Sequence, residues 1–166
     1  RLIFKGDFGL RKLDYPLFPD SPVAEFDTVL LKAGMNHCWT YNGTSSAEQQ
    51  RITATFVHDR VVSDLQIDMG GVAAHGRPVH LYLNGLYWGM YTLQERSDES
   101  FAASYFGGEK EEYDVLKHTS TTLIAGNLTA YNNLLALARA NLALNANYEA
   151  IQQALDLNWF IDYMML

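Results

Sequence analysis

Few residues of this chain have the type and spacing to do chemistry. The most concentrated set is aromatic: Tyr82, Tyr87, Trp88 and Tyr91 fall within ten positions and could form a stacking platform for a sugar or a base. Aromatics are also favoured in half-buried strands, so core packing is the preferred reading of the same four. A charged run, Glu95-Arg96-Ser97-Asp98-Glu99, follows directly and could deliver a site at a strand exit. His37-Cys38 beside Trp39 could hold a reactive thiol, although a lone cysteine more often behaves as a small buried hydrophobe. His58-Asp59-Arg60 has the residues of a kinase catalytic triplet in the wrong order and does not count as one. The five histidines are scattered, with no His-Glu-x-x-His or Cys-x-x-Cys company, so the spacing gives no zinc site. No Gly-x-Ser-x-Gly elbow, Walker A loop or Gly-x-Gly-x-x-Gly is written in the chain.

The element that must position the aromatics is a hairpin. Val79, Leu81 and Leu83 alternate with His80 and Tyr82, a period of two. Asn84-Gly85 then supplies a tight turn, since both residues tolerate positive φ. The return strand carries large apolar groups on both faces, from Tyr87 to Leu93, and is expected inside a sheet. Upstream, Leu2–Phe4 and Phe8–Leu13 suggest one or two short strands, and three prolines between Asp14 and Pro22 mark a loop. Phe26–Lys32 reads as a core strand with a terminal lysine. Residues 35–51 read as a loop. A helix lies within Ala54–Met69, with Phe56, Val61 or Val62, Leu65 and Met69 on one face and Gly70-Gly71 ending it. Asp98 can cap a helix over Glu99–Phe106, and Tyr113–Lys117 is a short strand. Three helices follow. Asn147 is expected to cap the second, and Asp156 or Asn158 to start the third. Strands first and helices last predict an α+β architecture, with a sheet-rich part over 1–117 and a helical part over 118–166.

At 166 residues and 48% hydrophobic, the chain can bury a core. A formal net charge of −7 and the lack of a long basic cluster argue against a nucleic-acid surface. No apolar run reaches the roughly 18 residues of a membrane span. Asn42-Gly43-Thr44 and Asn127-Leu128-Thr129 fit glycosylation acceptors, triplets that also arise by chance. The apolar end Trp159–Leu166 has no helix stop signal, which suggests a piece of a longer protein cut inside a helix.

His80-Leu81-Tyr82-Leu83-Asn84-Gly85-Leu86-Tyr87-Trp88-Gly89-Met90-Tyr91, then Glu95-Arg96, then Asp114-Val115-Leu116-Lys117, resembles the CotH kinase-like family, named for spore coat protein H. Phe26–Gly34, His58–Gly70 and Asn158–Leu166 resemble its flanking segments, so the likeness covers most of 26–166. His58 departs from the arginine or leucine expected there. The resemblance implies an atypical protein-kinase-like fold: a small lobe of mainly antiparallel sheet plus one helix, then the first helices of a helical lobe. It implies ATP with Mg²⁺ or Mn²⁺ as cofactors, a nucleotide and a protein substrate as partners, and an extracellular or cell-surface setting. By the same analogy Lys32 neutralises ATP phosphates, Asp59 or Asp64 holds that lysine, and Leu93-Gln94-Glu95 forms a hinge whose backbone meets adenine. The parent would transfer the γ-phosphate of ATP to Ser or Thr of a secreted or surface protein. Its catalytic carboxylates would lie beyond Leu166, so this piece alone is expected to be inactive. The alternative is a non-catalytic surface or structural module that binds a protein or glycan through the aromatic hairpin.

Overall fold

A computed structural model of the chain describes residues 1–34, 52, 54–117 and 122–166. His37-Cys38-Trp39, the triplet at Asn42 and the loop expected over 35–51 lie outside the described residues. The described residues form two compact units, Arg1–Ile67 with Val72–Arg96, and Asp68–Gly71 with Ser97–Leu166. The architecture is α+β, as the sequence predicts, with a four-stranded antiparallel sheet, one described α-helix set between its strands in sequence and four that come after it.

The first unit is built on that sheet. Its strands are β1 (Leu2–Ile3), β4 (Thr28–Lys32), β5 (Gly76–Leu83) and β6 (Leu86–Glu95), in the order β1-β4-β6-β5. The run read as one strand from Phe26 to Lys32 is two. β3 (Glu25–Phe26) pairs with β2 (Leu13–Asp14), and only Thr28 onward joins the main sheet. The β5–β6 hairpin turns at Asn84 and Gly85, with φ of 50° and 80°. Positive φ at both central residues is what a two-residue turn needs to match strand twist, and glycine meets it at no steric cost.

Register fixes the two faces of the sheet, because paired residues share a side and neighbours alternate. Val29 and Leu31 lie opposite Glu95 and Leu93. That face is the packed one. Phe18, Phe26 and Val29 form its buried centre, with Phe4, Leu13, Leu17, Val23 and Leu93 against them. Phe18 meets Phe26 edge to face, with ring centroids 5.7 Å apart. Leu30, Lys32, Thr92, Gln94 and Gly76 occupy the opposite face.

Helix α1 (His58–Asp68) lies on that second side. Its orientation reverses the sequence expectation. Val61, Val62, Leu65 and Met69 are exposed, whereas Arg60, Ser63, Gln66 and Ile67 are the less exposed positions. Phe56 precedes the helix, with a φ of 61°.

The second unit holds α2 (Glu99–Phe106), a single 3₁₀ turn (Lys110–Glu112), the β7–β8 pair (Val115–Leu116 with Leu123–Ala125), α3 (Thr129–Ala138), α4 (Asn145–Ala154) and α5 (Leu157–Met165). Asp98 caps α2 by accepting from the Phe101 amide, and Asp156 caps α5 by accepting from the Trp159 amide. Asn147 is no cap. It sits within α4, and its side chain donates to the Asn141 carbonyl. Phe106 packs on Trp159 at 5.6 Å, and Ile151 is buried. Phe160, Ile161, Tyr163, Met164 and Met165 of α5 are exposed. No described helix is long and apolar enough to cross a membrane.

Candidate functional site

The site begins with a lysine that ends a strand. β4 is held in the sheet by β6 along Val29–Lys32, so the Lys32 backbone is fixed opposite Thr92. The strand parity turns its side chain to the α1 side. There Nζ lies 2.9 Å from Oδ2 of Asp59, a residue of the first helical turn. Both side chains keep contact with solvent, at 41% and 62% exposure, so the pair is a weak tie and an accessible positive group. Asp64, the other carboxylate considered as a holder of Lys32, pairs instead with Arg60 four residues back along the helix. A strand lysine presented beside a helix carboxylate is a point charge that can meet an anionic group without leaving its scaffold.

Leu93 and Glu95, grouped as a hinge, occupy a different place. Leu93 faces the packed side of the sheet. The segment is flanked on one side by β4 through Leu31, Leu30 and Val29, and on the other by Arg77 and Gly76. The Glu95 amide donates to the His75 carbonyl at 2.9 Å. With ladders on both sides, the backbone at 93–95 offers no open edge to a base, and the hinge role does not fit it. The Glu95 side chain is 3% exposed. Its Oε2 accepts from the His75 amide at 2.7 Å and lies 3.1 Å from His75 Nδ1. Ser21 Oγ donates to its other oxygen at 3.5 Å. Gln94, between them, points to the Lys32 face and is buried, and its Oε1 has no hydrogen-bond partner among the described residues.

Two participants were not read from the sequence as part of this site. Arg60 donates from Nη1 to the Ala74 carbonyl at 2.6 Å, and its stem lies against Gly76. The available signals were the Arg60–Asp64 spacing and a glycine opening a strand, a sign of close approach.

Three of the four hairpin aromatics are not core, while the fourth, Tyr91, is half-buried. Tyr82, Tyr87 and Trp88 are 60%, 50% and 57% exposed. β4 reaches only to Thr92, so the outer half of the ribbon has no third strand among the described residues. The register also slips: Leu81 faces Gly89, yet Tyr82 faces Tyr87, leaving Trp88 as an extra residue. Such a bulge brings Tyr87 to the side of His80 and Tyr82. Tyr87 lies 5.2 Å from the Tyr82 ring and 5.6 Å from the His80 ring, and its hydroxyl is 3.0 Å from His80 Nδ1.

Among the described residues, no group of three or more His, Cys, Asp or Glu is arranged to hold a metal ion. A family model described as CotH kinase protein matches residues 51–166, a span that contains Asp59, α1, the hairpin and the second unit. No curated protein and no solved structure matches the chain significantly.

Proposed function

The chain belongs to the CotH kinase protein family, and from that premise we propose that its sheet-and-helix unit grips the phosphates of ATP for transfer to a Ser or Thr hydroxyl of a secreted or surface protein. The observation that carries this reading is the Lys32–Asp59 pair, a rigid strand lysine steadied by a helix carboxylate at 2.9 Å. Phosphoryl transfer asks the protein chiefly for position and compensating charge. Lys32 supplies the charge at a fixed place, and Asp59 keeps the extended side chain aimed along the face that also carries Thr92 and Gln94.

In the reaction proposed, the acceptor oxygen attacks the γ-phosphorus. The bond to the β,γ-bridging oxygen breaks, and ADP leaves with that electron pair. The acceptor's proton passes to a base that is assigned to no described residue. Mg²⁺ or Mn²⁺, when bound with the nucleotide, would neutralise phosphate charge, and none of its ligands is assigned here. Incubation of the intact protein with γ-labelled ATP and Ser/Thr-rich acceptor proteins tests the reading. Label on serine or threonine, lost with Lys32→Ala, supports it. No transfer to any acceptor, with no nucleotide bound, refutes it.

The exposed rings of the hairpin favour a second reading, a module that stacks a glycan or contacts a protein through the His80–Tyr82–Tyr87 cluster and the neighbouring Trp88. Glycan binding that Trp88→Ala abolishes, in a protein that ignores ATP, would select it.

A further inference from the structure

We propose that Arg60 is the positioning residue of the Lys32–Asp59 pair: it seats α1 on the backbone before β5, and Gly76 is the space that seat requires. The helix is docked by its polar side. Arg60 Nη1 donates to the Ala74 carbonyl at 2.6 Å, and Gln66 Nε2 donates to the Val72 carbonyl at 3.1 Å. The Arg60 side chain is only 12% exposed, and its second terminal nitrogen pairs with Asp64. One guanidinium thus ties a carboxylate of its own helix and docks that helix on the strand lead-in, a use of its fixed fork of donors that a lysine cannot fully reproduce. The apolar residues of α1 give little help, since Val61, Val62, Leu65 and Met69 are exposed.

Gly76 provides independent support. A Cβ at this position would lie 3.2 Å from Arg60 Nη1, 3.3 Å from Arg60 Cδ and 3.0 Å from the Leu93 carbonyl oxygen. The strand and the arginine approach so closely that a methyl group here would press both by a few tenths of an ångström. Asp59 is the residue before Arg60, so a shift of the seat moves the carboxylate that meets Lys32. The consequence for nucleotide affinity rests on the function proposed above. The seat itself does not.

The test is the rate at which Lys32 is acetylated by acetic anhydride, with acetate as the leaving group, read by peptide mass spectrometry with Lys5 and Lys12 as internal standards. An amine held against a carboxylate is slower to attack. In Arg60→Met the Lys32 rate is expected to rise about two- to fivefold, the range that loss of an exposed ion pair corresponds to. Gly76→Ala should give a similar rise although it removes no charge. Arg60→Lys, which keeps the charge and a single donor group but not the fork, should fall between. Thermal melts identify variants that remain folded, and Arg60→Lys provides the reading if the others unfold. An unchanged Lys32 rate in folded variants, or an equal rise at all three lysines, overturns the proposal. A separate arm adds Mg·ATP to the unsubstituted protein. Failure to slow Lys32 acylation there would count against the nucleotide reading while leaving the seat intact.

Discussion

Glu95 and the His75 main chain hold each other in both directions: the His75 amide donates to the Glu95 carboxylate Oε2 at 2.7 Å, and the Glu95 backbone amide donates to the His75 carbonyl at 2.9 Å. This closes the lead-in of β5 onto the end of β6 at a point where the glutamate is almost wholly buried. Removing one member leaves buried polar groups behind. Glu95→Ala should therefore cost about 3 kcal/mol or more of folding free energy, the range for breaking a buried charged network. Glu95→Gln keeps an acceptor and should cost less. Urea unfolding of the two variants measures the difference, and equal small losses would deny the glutamate this structural role.

The hairpin turn and the hairpin surface should respond oppositely to substitution. Gly85 sits at a φ of 80°, where a side chain strains the backbone. Gly85→Val should cost about 1–2 kcal/mol. Trp88→Ala removes a larger group from an exposed place and should stay within about 0.5 kcal/mol. Thermal melts of the pair decide. A strongly destabilised Trp88→Ala would mean that the ring is packed after all.

Much of this was legible before any coordinates. Period-two alternation around Asn84-Gly85 identifies the hairpin, Asp98 is readable as a cap, and of the two starts open for the last helix, Asp156 and Asn158, the structure selects Asp156. Sides were harder. Alternation tells that two faces differ, not which one is covered, and β4 pairs with the ribbon only as far as Lys32–Thr92, so its outer half has no third strand among the described residues. The bulge at Trp88 breaks the parity on which the count depends. For α1, an apolar stripe implied an inward face, but the helix docks through hydrogen bonds to carbonyl groups that no periodicity records. At the site, Lys32 came from family resemblance and Asp59 was one of two carboxylates on offer. Only the fold could choose between them, because Asp64 is taken by Arg60.

In the second unit, Asp114 accepts from the Asn127 amide at 2.6 Å and from Asn127 Nδ2 at 3.1 Å, tying β7 to the start of α3. Asp114→Ala should cost about 1–2 kcal/mol, since the acceptor is a carboxylate and both donors lose it. Amide hydrogen exchange should speed at Asn127 and Thr129 with the first unit unchanged. Unchanged exchange at both would show that the bonds do not hold this turn. The same bonds engage the Asn127 side-chain nitrogen, the atom a glycan would need.

Helix caps give a further check on the second unit. Asp98→Ala and Asp156→Ala should each cost about 1 kcal/mol, because each leaves a first-turn amide without its acceptor. Asn147→Ala should cost less as a cap loss, since it lies inside α4 and its helix starts at Asn145. Denaturant titrations of the three variants rank them directly, and an Asn147→Ala loss above both aspartates would contradict the assignment.

The central claim is that Lys32, aimed by Asp59, meets nucleotide phosphate. Isothermal titration of the protein with Mg·ATP, side by side for the unsubstituted chain and Lys32→Ala, tests it most directly. Because the ion pair is solvent-exposed, its loss should change stability by less than about 1 kcal/mol, so both proteins will be folded in the calorimeter. The account predicts a measurable heat of binding for the unsubstituted protein and at least about tenfold weaker binding for Lys32→Ala, in keeping with loss of a charge-assisted contact. Equal affinities in the two, or no binding by the unsubstituted protein, would contradict it.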